Sequence, residues 1–186
     1  YAGVLTKFAT AYKLNVTDAR AQSAAALAAN PHVVSFTVTD NIANIANSIS
    51  DLSGQSTLVK ITITPQGLPI SLSAAQMAAN ADALSKIYGN YSLAIANANC
   101  ADALGYAENL HVRMVTVVDT AGAIADNLDG LMALGLRLKK VTSSDTNVLS
   151  IDAAQAQADA PVIGKLYAGY QLALQNASMG QAGSLY

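Results

Sequence analysis

The sequence predicts an α/β fold, namely a right-handed solenoid of stacked strand–helix coils with a parallel sheet of about seven strands. The first reason is a repeat, because the segment that begins at Lys7 recurs in outline at Lys86 and again at Lys165, a constant period of 79 residues. The second is that strand-like alternation gives way to helix-like spacing three times in each period. A globular doubly wound domain is the alternative, but its sheet reverses direction and would break the equivalence of the copies.

The period divides the chain into copies at about 7–85, 86–164 and a partial copy at 165–186. Tyr1 aligns with Asn80 and Tyr186 aligns with Ala107, and both partners lie inside predicted helices. A solenoid normally ends in polar caps. We therefore expect residues 1–186 to be a single solenoid segment of a longer array, with degenerate terminal caps as the alternative.

The first coil begins with a predicted strand at Tyr12–Thr17, in which Leu14 and Val16 share one face. An alanine-rich helix follows at Ala19–Ala29. The second strand is Val33–Thr39. Its predicted inward residues are Val34, Phe36 and Val38.

The helix after this strand is indicated by apolar residues at helical spacing, Ile42, Ile45, Ile49 and Leu52. A third strand is predicted at Leu58–Thr64 and a short extended piece at Ile70–Leu72, before a helix from Ser73 to about Tyr88. Strand–helix–strand connections of this length favour parallel neighbours and right-handed crossovers.

Helix N-caps account for a set of short polar residues that follow strands. The predicted caps are Asp18, Asp40, Ser73, Asn97, Asp119 and Asp152. Ser73 and Asp152, each followed three residues later by Gln, have the spacing of a capping box. Asn97 replaces Asp18 in the next copy, an exchange that a cap tolerates and a general acid does not. A row of such side chains could instead bind a cation weakly.

Composition excludes several functional classes. Charged residues make up 12% of the chain, the net charge is −2, and no basic run supports nucleic-acid binding. No apolar stretch approaches the ~20 residues that membrane insertion needs. Cys100 is the only cysteine, so we expect no internal disulfide, and its repeat equivalents suggest a small core residue. His32 and His111 would lie roughly 14 Å apart in the solenoid and could not share a metal ion.

Tyrosines recur where helix and strand join, and they are the candidate ligand contacts. Tyr12, Tyr91 and Tyr170 occupy one repeat position, and Tyr88 and Tyr167 lie three residues earlier. Edge packing is the favoured interpretation, and stacking on a sugar is the alternative. A threonine-rich outer sheet face is a second possible binding surface, although the next copy interrupts it.

Several strings resemble one known repeat type: Phe36–Leu52, Val117–Leu131, Val59–Thr64 and Leu72–Gln76. It is an Ala/Asp/Thr-rich repeat of very large bacterial proteins, many of which resemble type I-secreted surface or matrix proteins. The resemblance covers nearly the whole chain. It implies a structural role and carries over no catalytic residue. The glycine–aspartate calcium nonapeptide that accompanies such repeats is not found in this segment.

The sequence contains no common catalytic motif, and we expect neither a cofactor nor a metal site. The predicted function is a non-enzymatic structural segment of a large secreted or cell-surface bacterial protein, such as an adhesin stalk, a matrix fibre or a surface layer. Its partners would be further repeats of the same chain or copies of itself. The alternative is a glycan- or protein-binding module that uses the sheet face or the repeated tyrosine edge.

Overall fold

The computed structural model describes residues 12–167 and 169–178 and shows an α/β protein with parallel sheets. The strands are β1 Leu14–Ala19, β2 Val33–Asp40, β3 Leu58–Ile63, β4 Ile70–Ser73, β5 Ile87–Tyr88, β6 Leu93–Ala98, β7 Val112–Asp119, β8 Leu138–Ser143, β9 Val148–Asp152 and β10 Gln171–Gln175. The α-helices are α1 Ala24–Ala28, α2 Ile42–Asn47, α3 Ile49–Leu52, α4 Ala74–Ala79, α5 Ala81–Ser85, α6 Cys100–Gly105, α7 Ala121–Asp126, α8 Leu128–Met132, α9 Ala153–Ala158 and α10 Ala160–Ile163. Short 3-10 turns lie at Ala21–Ser23 and Gly135–Arg137.

The described strands form three sheets, so the expectation of a single sheet of about seven strands is wrong. Two sheets have four strands, in the orders β1-β2-β3-β5 and β4-β6-β7-β8, and the third pairs β9 with β10. The difference arises because β3 pairs with β5 and not with β4, which joins the next sheet beside β6. The chain thus changes sheet within each period.

The described chain forms two compact units. One contains residues 12–70 and 75–91, and the other contains residues 71–74 and 92–178, apart from residue 168. The start of the first copy at Lys7 and the two terminal alignments, of Tyr1 and Tyr186, lie outside the described residues.

Corresponding strands follow the period closely. β1 and β2 recur as β6 and β7 at an offset of 79 residues. Leu58 and Leu138, which begin β3 and β8, are 80 apart because the connection before β8 is one residue longer. The next connection has four residues where the first copy has six, and β9 begins one repeat position earlier than β4, so Leu72 and Ile151 are again 79 apart.

A β-bulge in β2 corrects the prediction that Val34 faces inward. Leu14 pairs with Val33 and Asn15 pairs with Ser35, so Val34 is the extra residue and is 42% exposed. The bulge shifts the alternation of buried and exposed side chains by one position before Phe36. Phe36 itself is buried, at 1% exposure. The same bulge recurs in β7, where Arg113 is the extra residue between paired neighbours.

The long helices that the sequence predicts are broken by polar residues. Ser48, Asn80, Asn127 and Asp159 each separate two short helices, with φ between −97° and −119°. The amide of Asn80 donates to the carbonyl of Gln76 at 2.7 Å, and that of Asn127 donates to Ala123 at 2.8 Å. Such bonds to the i−4 carbonyl interrupt the helical ladder and bend the chain.

Apolar residues of the sheets and helices form the core of each unit. In the first unit Phe36, Ile45, Leu52 and Ile61 are at most 1% exposed. In the second unit Val115, Ile124, Leu131 and Val141 hold the corresponding positions and are equally buried. Burying each such side chain contributes about 1.5–3 kcal/mol. The repeated leucine that opens the first strand of each copy is half-buried at Leu14, buried at Leu93 and 37% exposed at Leu172.

Candidate functional site

Two carboxylates at the ends of equivalent strands bind helix N-termini that precede them in the chain. Asp40, the last residue of β2, accepts from the backbone N–H of Ala21 at 3.0 Å. Asp119, the last residue of β7, accepts from the N–H of Cys100 at 2.9 Å. The first N–H groups of a helix have no partner within it. Each carboxylate therefore ties a strand end to the helical segment that lies before that strand.

Each of these carboxylates also binds the segment that follows it. Asp40 Oδ1 accepts from the N–H of Asn41 and the side-chain amide of Asn44, both at 2.8 Å. Asp119 Oδ1 accepts from the N–H of Thr120 at 2.8 Å. Asp40 itself is 2% exposed, so its carboxylate depends on these donors rather than on bulk water.

The hydrogen bonds lower the pKa of both carboxyl groups. Burial alone would raise the pKa of Asp40, but the donors from Asn44, Ala21 and Asn41, with the Arg20 charge, outweigh it. For Asp119 the Cys100 N–H lowers the pKa most, against the opposing effect of burial. Both groups are therefore ionised at neutral pH, as structural acceptors.

A third carboxylate of this kind occurs in the second unit. Asp145 accepts from the N–H of Ala121 at 3.2 Å and from the hydroxyl of Ser143 at 2.9 Å. Ala121 is the first residue of α7. The hydrogen bond from Ser143 is the main reason that the pKa of Asp145 is lowered. The corresponding place in the first copy, after β3, holds Pro65 and Gln66, so this contact belongs to one copy.

The helix N-caps lie one or two residues beyond the aspartates and asparagines predicted for them. Asn41, Asn99 and Thr120 are the N-caps of α2, α6 and α7, and each accepts from the N–H three residues later. Asp40 and Asp119 therefore cap the preceding helical segment rather than the next helix. These two residues do accept hydrogen bonds from helix N–H groups, but the prediction assigned them to the following helix instead of the preceding helical segment.

Asp152 and Ser73 occupy the places expected of them. Asp152 is the N-cap of α9, but its side chain makes no capping bond and instead accepts from the amide of Asn176 at 2.7 Å. Ser73 directly precedes α4.

Asp18 and Asn97 are not caps, and their positions require a left-handed backbone. Together with Asn176 they have φ of 55°, 53° and 53°, a region where Asn and Asp are the favoured non-glycine residues. The N–H of Asp18 donates to the Thr37 hydroxyl at 3.1 Å. The N–H of Asn97 donates likewise to the Thr116 hydroxyl at 3.0 Å. The exchange of Asp for Asn between copies is thus explained by backbone conformation.

Cys100 is buried, as the sequence predicts, and its surroundings disfavour the thiolate. Burial raises the pKa of this thiol to about 12, and the charge of the adjacent Asp119 adds to the effect. A thiol in that state carries almost no thiolate at neutral pH.

Asp159 is a buried carboxyl group without full hydrogen bonding. It is 2% exposed, and one of its carboxyl oxygens has no hydrogen-bond partner. Burial is the main cause that raises its pKa, and the neighbouring Asp129 adds to the effect. Asn80 holds the equivalent position in the first copy and donates to Gln76. An ionised Asp159 has no proton to donate in this way.

The three candidate ligand tyrosines, Tyr12, Tyr91 and Tyr170, are all half-buried. The ring of Tyr12 stacks on His32 at 4.1 Å between centroids, and His32 Nδ1 lies 3.1 Å from the Tyr12 carbonyl. Tyr91 is half-buried, which raises the pKa of its phenol. Tyr170 is also half-buried. These positions match edge packing better than an open binding face.

The exposed rings belong to the other repeated pair. Tyr88 and Tyr167 are 68% and 58% exposed. The ammonium of Lys60 lies 5.3 Å from the ring centroid of Tyr88, and that of Lys140 lies 3.6 Å from that of Tyr167. The sequence reveals the recurrence of these tyrosines, but their lysine partners depend on the pairing of β3 with β5 and of β8 with Leu166.

Within the described residues, no group of three or more His, Cys, Asp and Glu side chains could hold a metal ion. His32 and His111 lie in different compact units. Two shallow hollows of ≈ 270 and ≈ 250 Å³ are lined mainly by apolar residues, including Leu136 and Leu68 respectively. Neither hollow brings together an acid, a base and a nucleophile.

The helices of the described ranges have at most six residues each, and none of them could cross a bilayer. No protein-family model matches the chain, and a comparison with curated proteins finds no relative.

Proposed function

We propose that this chain is a non-enzymatic structural segment of a large secreted or cell-surface bacterial protein, in which copies of the 79-residue repeat are joined in series. Each added copy would extend the array by the same increment, as in an adhesin stalk, a matrix fibre or a surface layer. Its partners would be further repeats or other copies of the chain.

The proposal rests on one observation: the polar residues that recur between copies form hydrogen bonds that stabilise the backbone. Asp40 and Asp119 both bind the N–H of a preceding helical segment. Asp18 and Asn97 both hold a left-handed position beside a threonine hydroxyl. The stability of a repeat array is the sum of the contributions of its repeats and their interfaces, so shared residues that stabilise the repeat itself support a role in such an array.

The proposal is tested by inserting a second 86–164 copy after residue 164 of the full chain. In a repeat array the area exposed on unfolding rises with each folded copy, so the urea m-value should increase. A 79-residue Gly/Ser insertion at the same place is the matched control and should leave the m-value unchanged.

Equal m-values for the two insertions would contradict the proposal, because the added copy would then not fold with its neighbours. Localisation is tested separately in cells that produce the full-length protein. Protease added outside intact cells should digest the segment if the protein is secreted or held at the surface.

A further inference from the structure

The outer sheet face of the second unit carries a cluster of cations beside an exposed aromatic ring. We call Arg113, Lys139, Lys140 and Tyr167 the basic patch. Arg113 lies on β7, Lys139 and Lys140 lie on β8, and Tyr167 follows Leu166, which bridges to Val141 of β8. Thr116 of β7 pairs with Lys140 of β8, so Arg113 lies three residues, or about 10 Å, before the level of Lys140 along the strands. The basic patch is therefore an elongated stripe that runs from β7 across β8 to Tyr167.

Two β-bulges place cations of this patch at the surface. Leu93 pairs with Val112 and Ala94 with Met114, so Arg113 is the extra residue in β7. On the other side of β7, Val115 pairs with Leu138 and Thr116 with Lys140, so Lys139 is the extra residue in β8. Both bulge residues are exposed.

The other two members of the patch are held together. The N–H of Tyr167 donates to the carbonyl of Val141 at 2.8 Å, which fixes the tyrosine beside β8. Lys140 Nζ lies 3.6 Å from the centre of the Tyr167 ring, and the ring remains 58% exposed. A cation and an open aromatic ring therefore stand side by side.

The first unit provides an internal comparison. It keeps the lysine and the tyrosine as Lys60 and Tyr88. Its bulge positions hold Val34 and Val59, at 42% and 62% exposure, where the second unit has Arg113 and Lys139. The bulges therefore do not require basic residues for their conformation.

Among the described residues, no carboxylate forms a salt bridge with the patch. The salt bridges within the described residues are Arg20–Asp40 and Lys86–Asp82, and neither involves a residue of the patch. Arg113 on β7 and Lys139 and Lys140 on β8 carry like charges on two neighbouring strands, and like charges repel. Arg113 and Lys139 add two positive charges at bulge positions where the first unit has exposed valines. In a chain of net charge −2, folding does not require these two cations, and an anionic ligand would explain them.

We propose that the basic patch binds an acidic polysaccharide, with carboxylate groups on Arg113, Lys139 and Lys140 and a sugar ring on the face of Tyr167. The hydroxyls of Thr116 and Thr142 lie on the same strands as additional hydrogen-bonding groups. A single-stranded nucleic acid is less favoured, because such sites stack successive bases on several aromatic rings and this patch has one. This activity is distinct from the proposed structural role and does not depend on it.

The test is calorimetric titration of the 186-residue chain with oligogalacturonate, using the fully methyl-esterified oligomer as the neutral control. Wild-type protein should bind the acidic oligomer, more weakly as salt rises, and should not bind the ester. Arg113→Val with Lys139→Val installs the residues of the first copy and should weaken binding about fivefold or more. Lys13→Val, which removes a cation outside the patch, should leave the affinity within about twofold.

Further variants separate the ring from the charges and guard against misfolding. Tyr167→Ala should weaken binding, while Tyr167→Phe should retain it because the ring face remains. Val34→Arg with Val59→Lys should create a second site and raise the stoichiometry from one to two. The urea midpoint of each variant verifies that it is folded.

Four results would overturn the proposal. They are undetectable binding of the acidic oligomer by the folded wild-type chain, equal binding of the methyl ester, unchanged affinity in the Arg113→Val and Lys139→Val variant, or tighter binding of an oligo-dT strand under the same salt. The last result would assign the patch to nucleic acid.

Discussion

Asp119 and Cys100 are joined across 19 residues of chain by a hydrogen bond of 2.9 Å, from the backbone N–H of the cysteine to the carboxylate of the aspartate. Asp40 and Ala21 make the same contact one copy earlier. The contact joins a strand end to a helical segment that precedes it. It joins the start of α6 to the end of β7, the next element in the chain, and in the first copy it joins the 3-10 turn at Ala21–Ser23 to the end of β2.

Removing either carboxylate should destabilise the fold. Asp119→Ala leaves the Cys100 N–H without its acceptor, and an unsatisfied buried donor costs about 1–3 kcal/mol. Asp40→Ala should cost at least as much, because Asp40 has four donors around it. The measurement is the free energy of unfolding in urea, and Asp126→Ala, an exposed residue of α7, is the matched control. Losses no larger than that of the control would contradict the assigned role.

The same two carboxylates predict acid lability. Their pKa values are lowered in the folded state, so the stability they contribute is present above the unfolded pKa near 3.8 and is lost as pH falls through the lower, folded pKa. The free energy of unfolding should therefore decline below about pH 4. This decline should be smaller in Asp119→Ala, and an unchanged pH profile in that variant would count against the assignment.

Asp159 predicts the opposite pH dependence. Its pKa is raised in the folded state, so the folded protein holds a proton that the unfolded chain has released, and its contribution to stability falls as pH rises above 3.8 towards the folded pKa. The facing groups are Asp129, which adds to the effect, and Gln155, which opposes it. Asp159→Asn installs the residue of the first copy and should stabilise the protein at pH 7.

The reciprocal variant Asn80→Asp is the matched test, because it should destabilise the first unit at pH 7 and less so at pH 4. Urea unfolding at both pH values gives the comparison. Equal stability of Asp159→Asn and wild type at pH 7 would show that the buried carboxyl group is accommodated without cost.

The left-handed positions predict a specific tolerance to substitution. Asn97→Gly should have little effect, because glycine adopts positive φ without strain. Asn97→Val should cost about 1–2 kcal/mol or more, since a β-branched residue is strongly disfavoured there. Ala96→Val, at the preceding exposed strand position, is the control and should be nearly neutral. Thermal unfolding measures all three, and equal effects of valine at 96 and 97 would contradict the conformational argument.

Cys100 should resist modification in the native protein. With a pKa raised to about 12 and a buried side chain, its thiol should react with a maleimide far more slowly than a free cysteine does at pH 8. Full reactivity should return in denaturing urea. Rapid labelling of the folded chain would show that the helix start at Cys100 opens readily.

The sequence predicts most of the strands because their side chains alternate between a buried and a polar face. β2 and β3 were located within one residue of their ends, since Phe36, Val38 and Ile61 mark the inward positions. The bulge at Val34 could not be predicted from this pattern. Valine is itself apolar and continues the alternation that the bulge interrupts.

The breaks at Ser48 and Asn80 were missed for a different reason. The apolar spacing across both positions is helical, and only a hydrogen bond such as that from Asn80 to Gln76 reveals the bend. The role of Asp40 depends on its contact with Ala21, 19 residues away, which local patterns do not contain. The grouping of strands into three sheets likewise depends on which neighbours pair.

The central claim is that equivalent residues build equivalent structural copies whose purpose is to extend an array. Small-angle X-ray scattering tests it on the full chain and on chains with one and two further 86–164 copies inserted after residue 164. The account predicts that the maximum dimension grows by the same increment with each inserted copy. No growth, or an increment that differs between the first and the second insertion, would contradict it.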